Sequence, residues 1–505
     1  MLGSLAKATA LTVALCGVGV VVSSSYQTLI GLEQKRSIGG SVLAGDLNGS
    51  DPHLAARAAL AIGRTKDPAG VPLLQRHLRD KNDAVRAMSV YGLGLIGTGA
   101  SAQALTVAMI SDRSGAVRVA ALDAIGRYEN AHRLPVANEL IAASTVGAVL
   151  KGDRDPIVRA RAATAFEAFR VSPVGDYASR QLLTAWQAER NEDVRWHIMW
   201  TIFRGYANRV PRAALTAALH DQNELVRIEA VRAYGKLKNK DAIAALVPLT
   251  QDPSWRVQLQ ALEAIRQLKG EPLTEHLKEM PPGIHTPPVR VQNYAEIAPL
   301  PRPSVTGKPG PPTGADAILT PKIYPVSSAL MNGPAPGPHP RVRIHTTKGT
   351  MIVTLYPEWA PLTVENFLNL TNRGYFDGGR WFRIVPDFVV QTGDPTNTGD
   401  GDAGYSIPAE ENPLEQRSNV ISMGLNYDNN GAIRDSAGTQ FYIALSPQLH
   451  LNRDFTVFGE VTNGLDVLGR LVETDTMTRV EQIPDSPSET RTSACCRSES
   501  SRVRH

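Results

Sequence analysis

Cysteine is scarce in this chain of 505 residues, which contains three. They are Cys16 near the start and the neighbouring Cys495 and Cys496 near the end. A disulfide framework or a cysteine-based zinc site therefore cannot hold the intervening sequence together. We expect no metal and no other cofactor, and we interpret the vicinal pair as incidental.

A large excess of charge is also missing, since the formal net charge is +4 at pH 7. This value is small for the length of the chain and gives no support to nucleic-acid binding, which requires a concentrated basic face. The chain is too long for one hydrophobic core, so we expect two or more domains.

Long apolar runs are absent except at the beginning, where Lys7 precedes an apolar run from Ala8 to Val22. Small residues follow the run, and this order is typical of a secretory signal peptide. We assign residues 1–25 to it and expect cleavage near Ser23 and export to the periplasm or the medium. The alternatives are a retained membrane anchor and a lipid anchor at Cys16.

Residues 45–280 repeat a pattern of an acidic turn, a Val-Arg pair and small residues three and four positions apart. The spacing of roughly 31 to 41 residues predicts a helical solenoid that presents a concave surface to a partner protein. The pattern resembles short HEAT-like repeats, including those of bilin-lyase relatives, but no residue there is suited to handling a tetrapyrrole. The units begin at Leu54, Val85, Val117, Val158, Val194, Val226 and Val257.

The arginine of each Val-Arg pair has two interpretations. It could belong to a ladder that binds a ligand, or it could pair with an acidic group of the adjacent turn. We favour the second, because an arginine that recurs in step with the fold belongs to the fold. One unit is crowded with aromatic residues, which we predict to be core and otherwise a contact site: Trp186, Trp196, Trp200, Phe203 and Tyr206.

Residues 281–340 are rich in proline and have few periodic apolar residues. This composition is typical of an extended, semi-rigid linker that spans about 3 Å per residue. Such a linker could keep the flanking domains tens of ångströms apart.

Residues 380–394 place Arg383 within an otherwise apolar run. The β-branched and aromatic residues predict one or two short strands broken near Pro386. The arginine could pack its stem and extend its head to water, or it could hold its guanidinium at the lip of an apolar pocket. The stretch by itself leaves both interpretations open.

Four separated blocks favour the pocket: FVVQTGD from Phe388, Ser422–Gly424, Gly438–Ile443, and the residues from Leu451 to Gly459. In this order they resemble the cyclophilin family of peptidyl-prolyl cis/trans isomerases, and the resemblance covers roughly residues 341–475. It implies that an all-α solenoid is followed by a closed antiparallel β-barrel of eight strands with two helices.

We assign residues 341–483 to this barrel. A hairpin about Lys348-Gly349 and a helix from Ala360 to Leu370 are predicted by the residues themselves. Either Met477–Ile483 supplies the strand that closes the barrel, or the edge of the barrel is left open. Residues 484–505 lack apolar alternation and are predicted to be a disordered tail.

Isomerisation of an Xaa-Pro bond must overcome a barrier of about 18–20 kcal/mol without a nucleophile or a general base. A donor near the proline nitrogen and an apolar cup for the ring would favour the twisted amide. Arg383 suits the first role, because it is always charged and has a planar fork of donors. The resemblance implies that the substrate site consists of Phe388, Val389, Gln391, Gly424, Gln440, Tyr442, His450, Leu451 and Phe455.

Within this set, Gln391 would hold the substrate backbone and Gln440 would line the neighbouring wall. The alternative for the cup residues is ordinary barrel core. His450 stands where relatives that bind cyclosporin well have Trp, so we expect weak drug binding. Val389, Tyr442 and Phe455 also differ from the common residues, which are Met, Phe and His.

We therefore expect an exported prolyl isomerase that assists protein folding, with a solenoid that binds proline-containing clients or another protein. The alternative is a catalytically weak scaffold or chaperone for the same clients. No nucleic acid is expected as a partner, and a membrane is expected only if the N-terminal segment is retained.

Overall fold

The computed structural model describes residues 24–130, 135–238, 240–270, 339–401, 404–428, 431–452 and 454–484. Nearly all of the segment assigned to a signal peptide, most of the proline-rich linker and the tail after Pro484 lie outside these described residues. Among the residues that are described, none of the helices combines the length and the apolar character that a membrane crossing requires.

The N-terminal part consists of helices that pack in two rows. One row, which we call the front row, contains the helices that begin the predicted repeats, α3, α5, α7, α9, α11, α13 and α15, and each packs on the next. This confirms the helical solenoid. The helices are α1 (Ser24–Gln34), α2 (Val42–Leu47), α3 (Pro52–Thr65), α4 (Val71–Arg76), α5 (Asp83–Ile96), α6 (Ala102–Ser111), α7 (Gly115–Asn130), α8 (Val136–Gly152), α9 (Pro156–Ala165), α10 (Gly175–Ala188), α11 (Glu192–Thr201), α12 (Arg212–Ala218), α13 (Glu224–Lys236), α14 (Ile243–Leu246) and α15 (Trp255–Lys269).

Aspartate and asparagine residues of the turns cap front-row helices. The Asn82 side chain accepts hydrogen bonds from the backbone N–H groups of Ala84 and Val85, which have no partner within the helix. Each such cap contributes about 1 kcal/mol to helix stability. Asp51, Asp155, Asn191 and Asn223 make equivalent contacts.

The repeated arginines form a ladder of ion pairs between successive units. Arg86 donates from Nε and Nη2 to the two carboxylate oxygens of Asp112, at 2.8 and 2.9 Å. Its Nη1 donates to the carbonyl oxygen of Asp80 at 2.8 Å. The structure thus confirms that these arginines serve the fold. The other pairs are Arg118–Asp153, Arg159–Glu189, Arg195–Asp221 and Arg227–Asp252.

Small and aromatic residues fill the solenoid core. A Cβ added at Gly63 would lie 2.4 Å from the Cα of Gly92, so α3 and α5 approach too closely there for any side chain. Four of the five clustered aromatic residues are buried, and Phe203 is half-buried against the same core, which supports the core interpretation.

The C-terminal part is an eight-stranded antiparallel sheet in the order β10-β1-β2-β9-β5-β8-β4-β3, with a separate β6-β7 hairpin. The pairing of β10 with β1 confirms that Met477–Ile483 supplies the final strand. The elements are β1 (Arg341–Thr346), β2 (Gly349–Leu355), α16 (Pro361–Asn372), β3 (Arg383–Val385), β4 (Val389–Thr392), β5 (Val420–Met423), β6 (Tyr427–Asp428), β7 (Gly431–Ala432), β8 (Phe441–Ala444), β9 (Val457–Asn463), α17 (Leu465–Leu468) and β10 (Met477–Ile483).

The sheet curls but is not closed by a continuous ladder, which corrects the expectation of a closed barrel. Among the described strands, β3 and β10 are the two ends of the order. An isolated bridge between Arg380 and Thr476 connects the two edges. The Trp381 N–H also donates to the carbonyl oxygen of Asp475 at 3.1 Å. β3 contributes little to closure, because it has three residues and the turn at Pro386 follows at once.

The solenoid and the barrel are in direct contact. The barrel residues Trp359, Leu362 and Leu449 pack into the same hydrophobic cluster as the solenoid core. The expectation that the linker keeps the domains tens of ångströms apart is therefore wrong. Linker composition sets how far the joined domains can separate, whereas their mutual contacts decide whether they do.

Ion pairs reinforce this contact along the front row. Glu411 of the barrel accepts from Lys66 at 2.8 Å and from Arg434 at 2.7 Å. Burial raises the pKa of Glu411, but Arg434 and Lys66 outweigh it and lower this pKa to about 2. Arg161 of α9 pairs with Glu415 of the barrel at 3.1 Å. The barrel thus presents carboxylates to cations of the solenoid.

Candidate active site

The candidate site begins at the β3–β4 hairpin. In its register Arg383 lies opposite Gln391, Gln391 lies opposite Tyr442 of β8, and Tyr442 lies opposite Ser422 of β5. Side chains alternate between the faces of a sheet, so Val389 and Gln391 share one face of β4. Four neighbouring strands therefore bring a cation, an amide, a phenol and a hydroxyl group into one row.

A chain of hydrogen bonds fixes the polar half of the site. Nη1 of Arg383 donates to Oε1 of Gln391 at 3.1 Å, and Nε2 of Gln391 donates to Oε1 of Gln440 at 3.0 Å. Nε2 of Gln440 donates to the carbonyl oxygens of Gly399 and Gly401, each at 2.9 Å. The loop that contains Gly399 and Gly401 thereby orients the side-chain amides of Gln440 and Gln391, and Gln391 orients the guanidinium of Arg383.

The apolar half of the site is a cluster separate from the barrel core. Val389, Tyr442 and Leu451 are buried in it, and Phe388 and Phe455 pack against it while half-buried. The Phe388 ring centroid lies 5.4 Å from Cζ of Arg383. The rings of Tyr442 and Phe455 meet edge to face, with centroids 5.8 Å apart. The cup predicted from the sequence is thus assembled beside the cation.

Gly424 lies where a side chain would press on the two amides. Its N–H donates to the carbonyl oxygen of Gln440 at 2.8 Å. A Cβ at this position would lie 3.1 Å from the Cβ of Gln440 and 3.5 Å from Nε2 of Gln391. The absence of a side chain keeps the space between β5 and β8 open to the amides.

His450 lies on the outer side of Phe388, with parallel rings whose centroids are 5.7 Å apart. Burial, together with Arg204 and Arg232 of the solenoid, lowers the pKa of His450 to about 4. The imidazole is therefore neutral at neutral pH and offers Phe388 an uncharged surface. The structure places the predicted substrate residues around Arg383, with His450 behind the Phe388 ring.

We expect the half-buried His450 to make the protein less stable in acid. Its pKa of about 4 in the folded chain lies below the ordinary 6.5, so folding favours the neutral imidazole. This contribution is complete above pH 6.5 and is lost as the pH falls through 4. Its upper limit is about 3 kcal/mol, from 1.36 kcal/mol per pKa unit.

Urea unfolding of the wild type and of His450→Gln at pH 7 and pH 4.5 measures this loss. Carboxylates titrate in both proteins, so the difference between the two profiles isolates the histidine. The wild type should lose more stability between these pH values than the variant, and parallel profiles would contradict the burial argument.

The sequence did not indicate a role for three residues of the site region. Asp387, in the turn before Phe388, is buried and contacts the solenoid. Tyr427 of β6 is exposed, with its ring centroid 6.3 Å from that of Phe455. Asp394 accepts hydrogen bonds from the N–H groups of its own loop, which supports Gln440. The sequence shows Asp387 only as an acidic turn residue after Pro386. This position predicts a turn but does not indicate that the side chain pairs with the solenoid.

Comparison with known families agrees with this geometry. The family described as "Cyclophilin type peptidyl-prolyl cis-trans isomerase/CLD" matches residues 341–489. HEAT repeats match residues 42–126 and 212–283. Both parts of the chain thus match the families that the sequence resembles.

Individual relatives match the C-terminal part. Peptidyl-prolyl cis-trans isomerase B of Bacillus subtilis is 43% identical over 128 residues, which are 25% of this chain and 85% of that protein. Peptidyl-prolyl cis-trans isomerase ppi1 of Schizosaccharomyces pombe is 40% identical over 143 residues, 27% of this chain and 90% of that protein. The human peptidyl-prolyl cis-trans isomerase-like 1 is 35% identical over 142 residues, 28% of this chain and 85% of that protein.

Among solved structures, a cyclophilin-type peptidyl-prolyl cis-trans isomerase of Cryptosporidium parvum aligns with 25% identity and a TM-score of 0.27, covering 29% of this chain and 99% of that one. The C-terminal part of this chain, which carries the candidate site, aligns with most of the length of these relatives. The chain therefore belongs to the cyclophilin family of peptidyl-prolyl cis-trans isomerases, and HEAT repeats precede its cyclophilin domain.

Proposed function

We propose that the chain catalyses the cis/trans isomerisation of Xaa-Pro bonds in polypeptides and that Arg383 is its catalytic residue. The observation that carries this proposal is the guanidinium of Arg383, which Gln391 holds beside the apolar cluster. Phe388, Val389, Tyr442, Leu451 and Phe455 would receive the proline ring.

The physical basis is preferential binding of the twisted amide. Twisting removes the amide resonance and returns the lone pair to the proline nitrogen. A charged donor directed at that nitrogen is then worth more than it is against the planar amide. The apolar cluster excludes water, which strengthens this interaction further. The Gln391 amide would hold the peptide backbone in place, and Gln440 would line the neighbouring wall.

Exchange spectroscopy on a peptide with one Xaa-Pro bond tests the activity of the full chain. The cis/trans exchange rate should rise in proportion to the protein concentration and exceed the uncatalysed rate, which corresponds to tens of seconds or more. An exchange rate that stays at the uncatalysed value with stoichiometric protein would overturn the proposal.

We propose a partner-binding role for the solenoid outside its contact with the barrel. The front row is engaged by the barrel, so a client or partner would use other helices. Support comes from α6 and α8, where Val107, Ile110, Leu140 and Ile141 are about half exposed. The helices α6 and α8 pack on each other, and exposed apolar patches are typical of protein contact sites. Loss of client binding on substituting these residues with serine is the corresponding test.

We also propose that the protein is exported. Support comes from the N-terminal sequence and from Leu29 and Ile30, the first residues whose side chains are described as buried, which follow the expected cleavage site near Ser23. Cleavage there would leave their packing intact. Mass spectrometry of the mature N-terminus tests this, and an intact Met1 on the exported protein would contradict cleavage.

A further inference from the structure

A carboxylate from the candidate site is held by the solenoid. Asp387 lies between β3 and β4, and its side chain is 1% exposed. Arg232 of α13 donates from Nη2 to one of its carboxylate oxygens at 3.0 Å, and Arg256 of α15 donates from Nε to the other at 2.6 Å. Two helices of the solenoid thus bind one turn of the barrel, which we call the Asp387 clamp.

The clamped turn joins the two halves of the site. Arg383 begins the strand before it, and Phe388 is the residue immediately after Asp387. Within the barrel, Ser446 and Gln448 donate to the carbonyl oxygen of Asp387. The barrel therefore holds the backbone of the turn, whereas the solenoid holds its charged side chain.

We propose that Arg232 and Arg256 act through Asp387 as positioning residues for proline isomerisation, so that the solenoid completes the active site of the barrel. This inference rests on the proposed function. The solenoid then has a second role besides partner binding, because it determines how accurately Arg383 and Phe388 face each other.

Asp387 carries a buried charge. A carboxylate with 1% exposure and no cations would have to reach water, because an unpaired buried charge is strongly unfavourable. The turn would move outward with it. Arg383 and Phe388 would move as well, and a misplacement of about 1 Å can lower a rate by up to 10²-fold.

The substitution Asp387→Asn separates the ion pairs from the backbone geometry. Asp387 has a positive φ of 55°, and asparagine adopts this conformation readily. The variant should therefore be able to adopt the same backbone conformation, but it loses the ion pairs that hold the turn firmly against the solenoid. We expect kcat/KM for a proline peptide to fall about tenfold, mainly in kcat, since positioning acts on the twisted state.

The double variant Arg232→Gln/Arg256→Gln removes the clamp from the other side and should show a similar loss. Combining it with Asp387→Asn should add little, because residues that act as one unit are not additive. The matched control is Arg36→Gln/Lys66→Gln. It removes two other solenoid cations, which pair with Asp435 and Glu411 of the barrel, and should change kcat less than twofold.

Hydrogen exchange of the full-length proteins supplies a readout independent of activity. The peptide covering residues 383–391 should exchange faster in the Asp387→Asn variant and at the wild-type rate in the control. A clamp that served stability alone would lower the unfolding midpoint without changing kcat or this exchange.

The outcomes are distinguishable. An active wild type with unchanged kcat in both clamp variants overturns this inference alone, as does an equal loss in the control. A wild type without isomerase activity overturns the proposed function and this inference together. If the double arginine variant does not fold, the comparison of Asp387→Asn with the control still decides.

Discussion

Replacing Arg383 with alanine is expected to lower kcat/KM for a proline peptide by about 10²–10³-fold, the scale of losing one preorganised donor to a transition state. The side chain donates to Gln391 at 3.1 Å and lies 5.4 Å from the Phe388 ring centroid. It is half-buried, so its removal leaves the core packing unchanged. The loss should therefore appear in turnover with little change in the unfolding midpoint.

Arg383→Lys is the matched variant, since it keeps the charge and loses the planar fork of donors. We expect it to recover part of the activity at most, because a fork can bind Gln391 and the substrate at once. Exchange spectroscopy at equal protein concentrations measures both variants. Wild-type turnover in Arg383→Ala would remove Arg383 from the mechanism.

The same variant distinguishes the enzyme from a scaffold. If the chain acts by holding proline-containing clients, binding of an unfolded client should persist in Arg383→Ala, along with any assistance to its folding. If isomerisation is the function, the folding of a client limited by a proline step should slow to its spontaneous rate while binding continues.

Replacing Arg64 with methionine is expected to destabilise the protein by about 3–5 kcal/mol, the cost of removing one partner from a buried ionic cluster. Arg64 has no exposed side-chain surface and pairs with Glu33 of α1. Its Nε donates to the carbonyl oxygen of Glu411 at 2.9 Å, and Nη2 donates to that of Trp359 at 2.7 Å. Methionine fills similar space and leaves these oxygens unsatisfied.

Urea unfolding followed by tryptophan fluorescence measures this effect. Because the contact between the domains is weakened, we expect the transition to move to lower urea and the solenoid and barrel to unfold less cooperatively. Arg36→Gln is the control. It removes a partly exposed pair with Asp435 from the same interface, and we expect a change of about 1 kcal/mol or less. If Arg64→Met also lowered the free energy of unfolding by only about 1 kcal/mol, the buried cluster would not stabilise the interface as proposed.

Local patterns were sufficient to predict the solenoid, whereas the residues proposed for the site came from the resemblance of ordered blocks to a known family. The Val-Arg pairs recur in sequence because the same packing and the same ion pair recur in each unit, as Arg86–Asp112 and Arg118–Asp153 show. The residues around Arg383 could be predicted because they come in ordered blocks. Their register places Gln391 between Arg383 and Tyr442, as the strand alternation requires.

The contact between the domains could not be predicted in this way. Arg64 and Glu411 are 347 residues apart, and Arg232 and Asp387 are 155 residues apart. Each residue by itself is an ordinary charged residue of a helix or a turn. Their partners are set by the docking of two complete domains, which no periodicity encodes. The gap between β3 and β10 could not be predicted either. It depends on the path of the chain after the three-residue strand β3, which the sequence pattern does not determine.

The contribution of α1 to the Arg64 cluster has a consequence for biosynthesis. Glu33 is among the first described residues of the chain, whereas Trp359 and Glu411 are translated hundreds of residues later. Domains generally fold in the order of their synthesis. The solenoid would therefore be folded before the cyclophilin domain is synthesised and docks on it. A nascent chain stalled within the linker would expose solenoid cations such as Arg64 that the cyclophilin domain has not yet covered.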